Sequence, residues 1–217
     1  MSAEFAWRME DVLDLYAEPY DPARPVVCLD ECPVQLLDEV RPPQPPAPGR
    51  PARRDSEYRR CGTACLAVAF DAGRGWRHVW AGERRTKLDF AGWLKDLVDV
   101  HYPAAEAVRL VVDNLNTHSP AALYAAFPPA EAHRIARRLE FHYTPKHGSW
   151  LNMVEIELSV LATKCLGRRL PDLATLRRET AAYTQRRNAA RATVRWRFAT
   201  RDARTKLDHL YPSPHPS

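Results

Sequence analysis

Two short apolar runs in this chain end on an aspartate: "PVVCLD", closing on Asp30, and "LVVDNLNTHS", in which Asp113 follows Leu110–Val112. Continuous apolar runs of this length read as strands buried inside a sheet. In an open α/β sheet, ligands collect at strand ends and at the switch point between neighbouring strands. Asp30 and Asp113, if placed there on adjacent central strands, can therefore converge. Burying two such charges is costly unless a cation or hydrogen bonds compensate, so their convergence points to a divalent metal. A third acid follows "FHYTPKHGSWLNMVE", where Glu155 lies early enough in a helix to project back over the strand ends. Glu157 competes with it. Two residues on an α-helix differ by about 200°, so the two cannot face the same way, and one of them is solvated or pairs with basic neighbours. Oxygen ligands without a required cysteine or histidine favour magnesium or manganese over zinc. Three carboxylates holding two such ions about 3.5 to 4 Å apart can activate a water or a 3′-hydroxyl and stabilise the leaving oxygen of an in-line phosphoryl displacement. Taken singly, each acid is as readily a helix cap or a turn residue. The strength lies in three of them at strand-end, strand-end and helix-start positions.

The elements that must position these acids follow from periodicity and breakers. Residues 3–17 place Phe5, Met9, Val12, Leu13 and Tyr16 at spacings of three and four, a helix stopped by Pro19 and Pro22. After the strand ending on Asp30, residues 41–54, "RPPQPPAPGRPARR", read as an extended basic surface insertion, because proline lacks the amide donor and fixes φ. "GTACLAVAFD" and "GWRHVWAGE" read as two strands joined by a hairpin at "DAGRG". A helix over "KLDFAGWLKDLVDVHY", the strand of Asp113, a helical stretch over 120–139 broken at Pro128 and Pro129, and the strand "EFHYTP" come next. Helices over 150–166 and 173–191 complete the chain, with "YPSPHPS" expected as a frayed tail. Strand, strand, strand, helix, strand, helix, strand, helix predicts an α/β fold: a mixed five-stranded sheet with helices on both faces.

The 217 residues suffice for one main domain, and 45% hydrophobic with 27% charged residues is a globular composition. No apolar run is long enough to span a bilayer, and the acidic, amphipathic start is unlike a signal peptide, so a cytoplasmic protein is expected. The net charge of +5 is unevenly spread: from Val160 onward 13 Lys and Arg face 4 Asp and Glu, a net of +9, which leaves −4 on residues 1–159. Basic residues beside an acidic body suggest a polyanionic partner, although a solvated helical face accounts for such a run equally simply. Five cysteines, an odd number, argue against a disulfide framework. Cys28, Cys32, Cys61 and Cys65 have a spacing that zinc ligands can use, but Cys28 and Cys65 sit in apolar runs where free cysteine is commonly a small buried hydrophobe.

"VVCLDEC", "LVVDNLNTH" and "TPKHGSWLNMVEIELSVL" resemble the three acidic motifs of mariner-type DDE transposases, specifically their bacterial insertion-sequence branch, over roughly residues 5–210. The resemblance implies a ribonuclease H-like fold in which Asp30, Asp113 and Glu155 are catalytic and bind two Mg²⁺ or Mn²⁺ ions. It favours Glu155 over Glu157, because the family's Asn-x-x-Glu falls on Asn152 and Glu155. Asn114 and His118 belong to the second motif, with His118 near the site. Lys146 and His147, in the loop before the third motif, and Arg168, Arg169, Arg177 and Arg178 are candidate contacts to DNA phosphates, as are Arg186 and Arg187. The doublets recur every nine residues, a rotation of about 180° on one helix, so not all of them face one duplex. The implied partners are double-stranded DNA, as transposon ends and target, and a second copy of the chain in an active homodimer, with the protein at the bacterial nucleoid when bound. The implied organisation is a linker helix over 1–24, a catalytic domain over 25–170 carrying the 41–54 insertion, and a basic helical region over 171–210. Family members carry a helix-turn-helix region ahead of the catalytic domain, whereas 24 residues precede "PVVCLD" here. The expectation is a fragment of a longer frame or a decayed copy, active or reduced to binding DNA. A host nuclease on the same fold is the other reading.

Overall fold

The computed structural model describes residues 2–115 and 118–212. β1 (Val26–Glu39) pairs antiparallel with β2 (Tyr58–Asp71), Cys28 opposite Phe70, and β2 pairs antiparallel with β3 (Trp76–Gly82). On the other side of β1, β4 (Val108–Val112) runs parallel to it, and β5 (Leu139–Tyr143) runs parallel to β4. The sheet order is β3-β2-β1-β4-β5. The chain thus builds the expected mixed five-stranded sheet, with β1 and β4 at its centre.

Alternation along the strands divides the apolar residues between two cores. Cys28, Val111, Leu66, Val68 and Phe70 face α1 (Ala3–Ala17), α5 (Val154–Lys164), α6 (Leu173–Ala189) and α7 (Thr200–Lys206). Val27, Leu29, Leu110 and Val112 face α2 (Lys87–Asp96), α3 (Ala121–Ala126) and α4 (Pro129–Ala136). Every residue of β4 is buried, Arg109 through its pairing with Glu18, and the full burial of Leu110–Val112 is why that stretch reads as an apolar run. The helix ends carry ordinary signals: Ser2 caps α1, Thr86 and Asp89 form a capping box on α2, and Pro129 starts α4 where a missing amide costs nothing. No helix among the described residues is long and apolar enough to cross a membrane.

Two features differ from expectation. β1 does not stop at Asp30 but continues to Glu39, because β2 keeps pairing with it after β4 has ended. Asp30 marks the place where the parallel neighbour drops away. Beyond it one edge of β1 is free of a strand partner, so Pro33 is tolerated there. The proline-rich segment, expected to form no ladder, extends the β1–β2 hairpin through two isolated antiparallel bridges, Gln44 with Arg53 and Ala47 with Arg50. Their bonds of 2.8 to 3.0 Å run between residues that keep an amide hydrogen, with the prolines standing between them. Of the expected tail, 213–217 lies outside the described residues.

Candidate active site

The parallel register sets Val27 beside Leu110 and Cys28 beside Val111. Carried two residues further, it brings Asp30 and Asp113 level with each other on the face of Cys28 and Val111, the face that α5 covers. The approach to α5 is fixed by Asn152, whose side chain is buried. Its Nδ2 donates to the Leu29 carbonyl at 3.1 Å, its Oδ1 accepts from the Val154 amide at 3.3 Å, and its backbone oxygen accepts from the Glu155 amide at 3.0 Å. Asn152 therefore pins the first turn of α5 to β1 one residue before Asp30 and carries Glu155 over the strand ends. From α1, the Tyr16 hydroxyl donates to the Leu151 carbonyl at 2.8 Å and secures the same turn from behind.

The charges of the site are felt at Asp30. Burial, and then the negative charges of Asp113, Glu155 and Glu31, push the Asp30 carboxyl up to about 6, against the bond it accepts from the Glu31 amide. Among the described residues no lysine or arginine pairs with Asp30, Asp113 or Glu155. The partner Asp113 does have is His118, buried to 1% exposure and stacked on Phe90 with ring centroids 4.6 Å apart. Nδ1 of His118 is hydrogen-bonded to Asp113 Oδ1, and Nε2 lies 3.1 Å from Glu31 Oε1. Burial disfavours the charged ring, but the two carboxylates outweigh it and hold the imidazolium up to about 9. Glu31, whose side chain is 6% exposed, is thus a site residue that the motif reading overlooked. Its signal was its place beside Asp30, on the opposite face of the same strand.

The model of the DDE superfamily endonucleases matches residues 25–177. The chain belongs to this family. Solved structures similar to this DDE chain include the Mos1 mariner paired end complex with Mn, at 16% identity and TM-score 0.56, covering 86% of this chain and 56% of that one. The Mos1 strand transfer complex follows at 13% identity and TM-score 0.57, covering 85% and 55%. The Mos1 paired end complex with Mg stands at 15% and 0.56, covering 98% and 65%. At these identities the likeness shows the fold, which is ribonuclease H-like. The DDE chain spans from 55% to 65% of the length of these three Mos1 chains. No curated protein sequence matches it.

The remaining candidates of the DDE chain divide by what they touch. Asn114, Lys146 and His147 line one groove together with Arg8 and Ser2. All three are exposed, and His147 holds a left-handed backbone, φ +66°, where its loop turns toward α5. Arg177 and Arg178 are exposed, Arg177 donating to the Ala81 carbonyl at 2.9 Å and Arg178 lying 3.5 Å from Glu179. Arg168 pairs with Glu179. Arg169 is spent on the fold: both of its terminal nitrogens are bonded, to Glu39 and to the carbonyls of Asp55, Ser56 and Glu57, tying the base of the β1–β2 hairpin. Its donors are thereby withdrawn from a phosphate role. Arg187 is half-buried on Glu157. The four cysteines do not gather, since Cys28 lies opposite Phe70 and Cys65 opposite Pro33. Five rows at about 3.4 Å each separate those two, too far for a shared tetrahedral ion.

Proposed function

We propose that the chain is the catalytic part of a mariner-type transposase of the insertion-sequence branch, with residues 25–170 as its catalytic unit. It cleaves and joins DNA strands using two Mg²⁺ or Mn²⁺ ions held by Asp30, Asp113 and Glu155. The observation that carries this is a set of three carboxylates, brought together by a strand register and a buried asparagine, with no lysine or arginine paired to them among the described residues and a single imidazolium, His118, on Asp113. Hard oxygen donors, one of which is kept from ionising by burial and then by its acidic neighbours, fit a hard divalent cation. Bound there, such ions supply the activation of a water or 3′-hydroxyl and the stabilisation of the leaving oxygen. The chain's own residues do the rest. Asn152 fixes where Glu155 stands, and His118 fixes the rotamer of Asp113 while Glu31 fixes the ring. Lys146 and Arg8 beside Asn114 offer cations, and His147 a ring N–H, to the phosphates of double-stranded DNA, and Arg177 and Arg178 offer further cations at a distance. Arg169 is not part of that surface. A homodimer pairing two transposon ends completes the proposal.

Purified protein with magnesium or manganese is expected to nick or join DNA carrying the element's ends. Asp113→Asn is expected to abolish this while leaving salt-sensitive DNA binding in place. Equal activity in the variant overturns the proposal. DNA binding without any metal-dependent cleavage by the parent chain decides for a remnant that only binds, and cleavage indifferent to the element's ends decides for a nuclease on the same fold.

A further inference from the structure

On the face of the sheet opposite Asp30, Asp113 and Glu155, three other side chains meet. His78 lies on β3 across from Ala69, Asp96 ends α2, and His101 closes the turn that follows. Among the described residues they are the one group of three His, Cys, Asp or Glu whose ligand atoms all lie within 4.8 Å of one another. Asp96 and His101 are five residues apart, a separation of about 140° on an α-helix, which would point them away from each other. The backbone changes pitch there. Leu97–His101 is a π-turn, in which the Tyr102 amide donates to the Leu97 carbonyl at 2.9 Å, and the wider turn brings both side chains to one side. The Asp96 carboxylate Oδ2 stands 3.5 Å from His101 Nε2, and the two imidazole centroids are 4.4 Å apart.

We propose that His78, Asp96 and His101 form a binding site for a single Zn²⁺ ion, separate from the acidic site, that clasps edge strand β3 to the end of α2. Two nitrogens and one carboxylate oxygen are a zinc-type set, leaving a fourth position for water. His101 Nε2 is shielded from solvent yet has no hydrogen-bond partner, and among the described residues the His78 ring makes no hydrogen bond. A buried nitrogen left in the state of His101 Nε2 calls for a ligand. Burial, helped by His101, holds the His78 ring down to about 4, and burial outweighs Asp96 in keeping His101 below its ordinary value. Both rings therefore keep a lone pair at neutral pH, which is the form a metal takes. Trp80 supplies the outer support, its Nε1 donating to Asp96 Oδ2 at 2.7 Å and so aiming the carboxylate. Trp76 and Trp80 flank the two imidazoles at centroid distances from 4.5 to 6.3 Å, walling the site with apolar surface.

Equilibrium dialysis of the whole chain against Zn²⁺, carried out on the Asp113→Asn background to weaken the acidic site, is expected to find one bound ion per chain. Its loss in His78→Ala and in His101→Ala is the expected result. Co²⁺ in place of zinc is expected to give a visible absorption spectrum without a thiolate charge-transfer band, which excludes the cysteines as ligands. Trp80→Phe leaves all three ligands in place and is expected to weaken zinc binding about 10- to 100-fold. The Trp80 variant keeps the test decisive should a histidine variant fold poorly. Zinc retained unchanged in both histidine variants, a thiolate band with cobalt, or no zinc bound by the parent chain overturns the proposal.

Discussion

Glu155 and Glu157 leave the first turns of α5 two residues apart and meet opposite surroundings. Glu155 turns toward Asp30 and Asp113, where its charge raises the cost of ionising Asp30. Glu157 is 1% exposed and saturated: Arg77 Nε lies 3.1 Å from it, Arg187 Nη2 2.9 Å, and the Tyr183 hydroxyl donates to it at 2.6 Å. Arg77 itself is fully buried on β3. One carboxylate is finished by the fold, and the other has no lysine or arginine partner among the described residues. A carboxylate's neighbours, rather than its burial, distinguish a structural acid from a candidate ligand.

The largest effects separate the two glutamates. Glu155→Gln is expected to reduce metal-dependent strand cleavage by on the order of a thousandfold, about 4 kcal/mol in the barrier, with the thermal midpoint unchanged. Glu157→Gln strands two guanidinium groups in a buried site and is expected to cost about 3 to 5 kcal/mol of folding stability, read by denaturant unfolding. If Glu157→Gln abolished cleavage at an unchanged midpoint while Glu155→Gln cleaved normally, the two roles would be exchanged.

Half of this contrast was legible in the sequence. The 200° between Glu155 and Glu157 required one of them to be solvated or paired with basic neighbours, and pairing is what Glu157 shows. Its partner Arg77 was not legible, since it stands 80 residues earlier and reaches α5 only once β3 has taken its place in the sheet. The succession of elements along the chain was readable from periodicity and breakers, and the apolar runs before Asp30 and Asp113 were readable because central strands are buried on both faces. The true length of β1 was not, because Pro33 breaks the pattern and only the departure of β4 explains why it can. Glu31 escaped notice because its partner His118 reaches it across the sheet. His78, Asp96 and His101 gave no motif at all, for their meeting depends on a π-turn that periodicity at 3.6 residues does not anticipate.

A smaller effect probes the unneutralised side of the contrast through pH. In the metal-free folded chain the Asp30 carboxyl keeps its proton up to about 6, whereas in the unfolded chain it releases it near 3.8. Between those values the folded state binds more protons than the unfolded state, so stability falls as pH rises through the window and levels off above 6. In the presence of a chelator, Asp30→Asn is expected to lose that slope and to exceed the parent at pH 7 by on the order of 1 kcal/mol, after allowance for partial exposure. Saturating Mg²⁺ is expected to stabilise the parent at pH 7 and to do much less for the variant. A variant with the parent's slope would mean that burial and acidic neighbours do not raise the Asp30 carboxyl.

The smallest effect tests how the neutralised side is assembled. Arg187 and Tyr183 reach Glu157 from α6, whose start is held by Asp172, the side chain accepting from the Thr175 amide at 2.6 Å. That bond, with no acidic residue in the first turn to oppose it, pulls the Asp172 carboxyl below its ordinary value. Asp172→Ala is expected to lower the thermal midpoint slightly, through loss of the N-cap, while cleavage per folded molecule stays unchanged. Because a loosened α6 and a missing Glu157 carboxylate disturb the same three-way contact, Asp172→Ala combined with Glu157→Gln is expected to cost less than the sum of the two single changes. Strict additivity would show that the cap and the buried ion pair act independently, and that α6 is held in place by Leu176 and the rest of its apolar face instead.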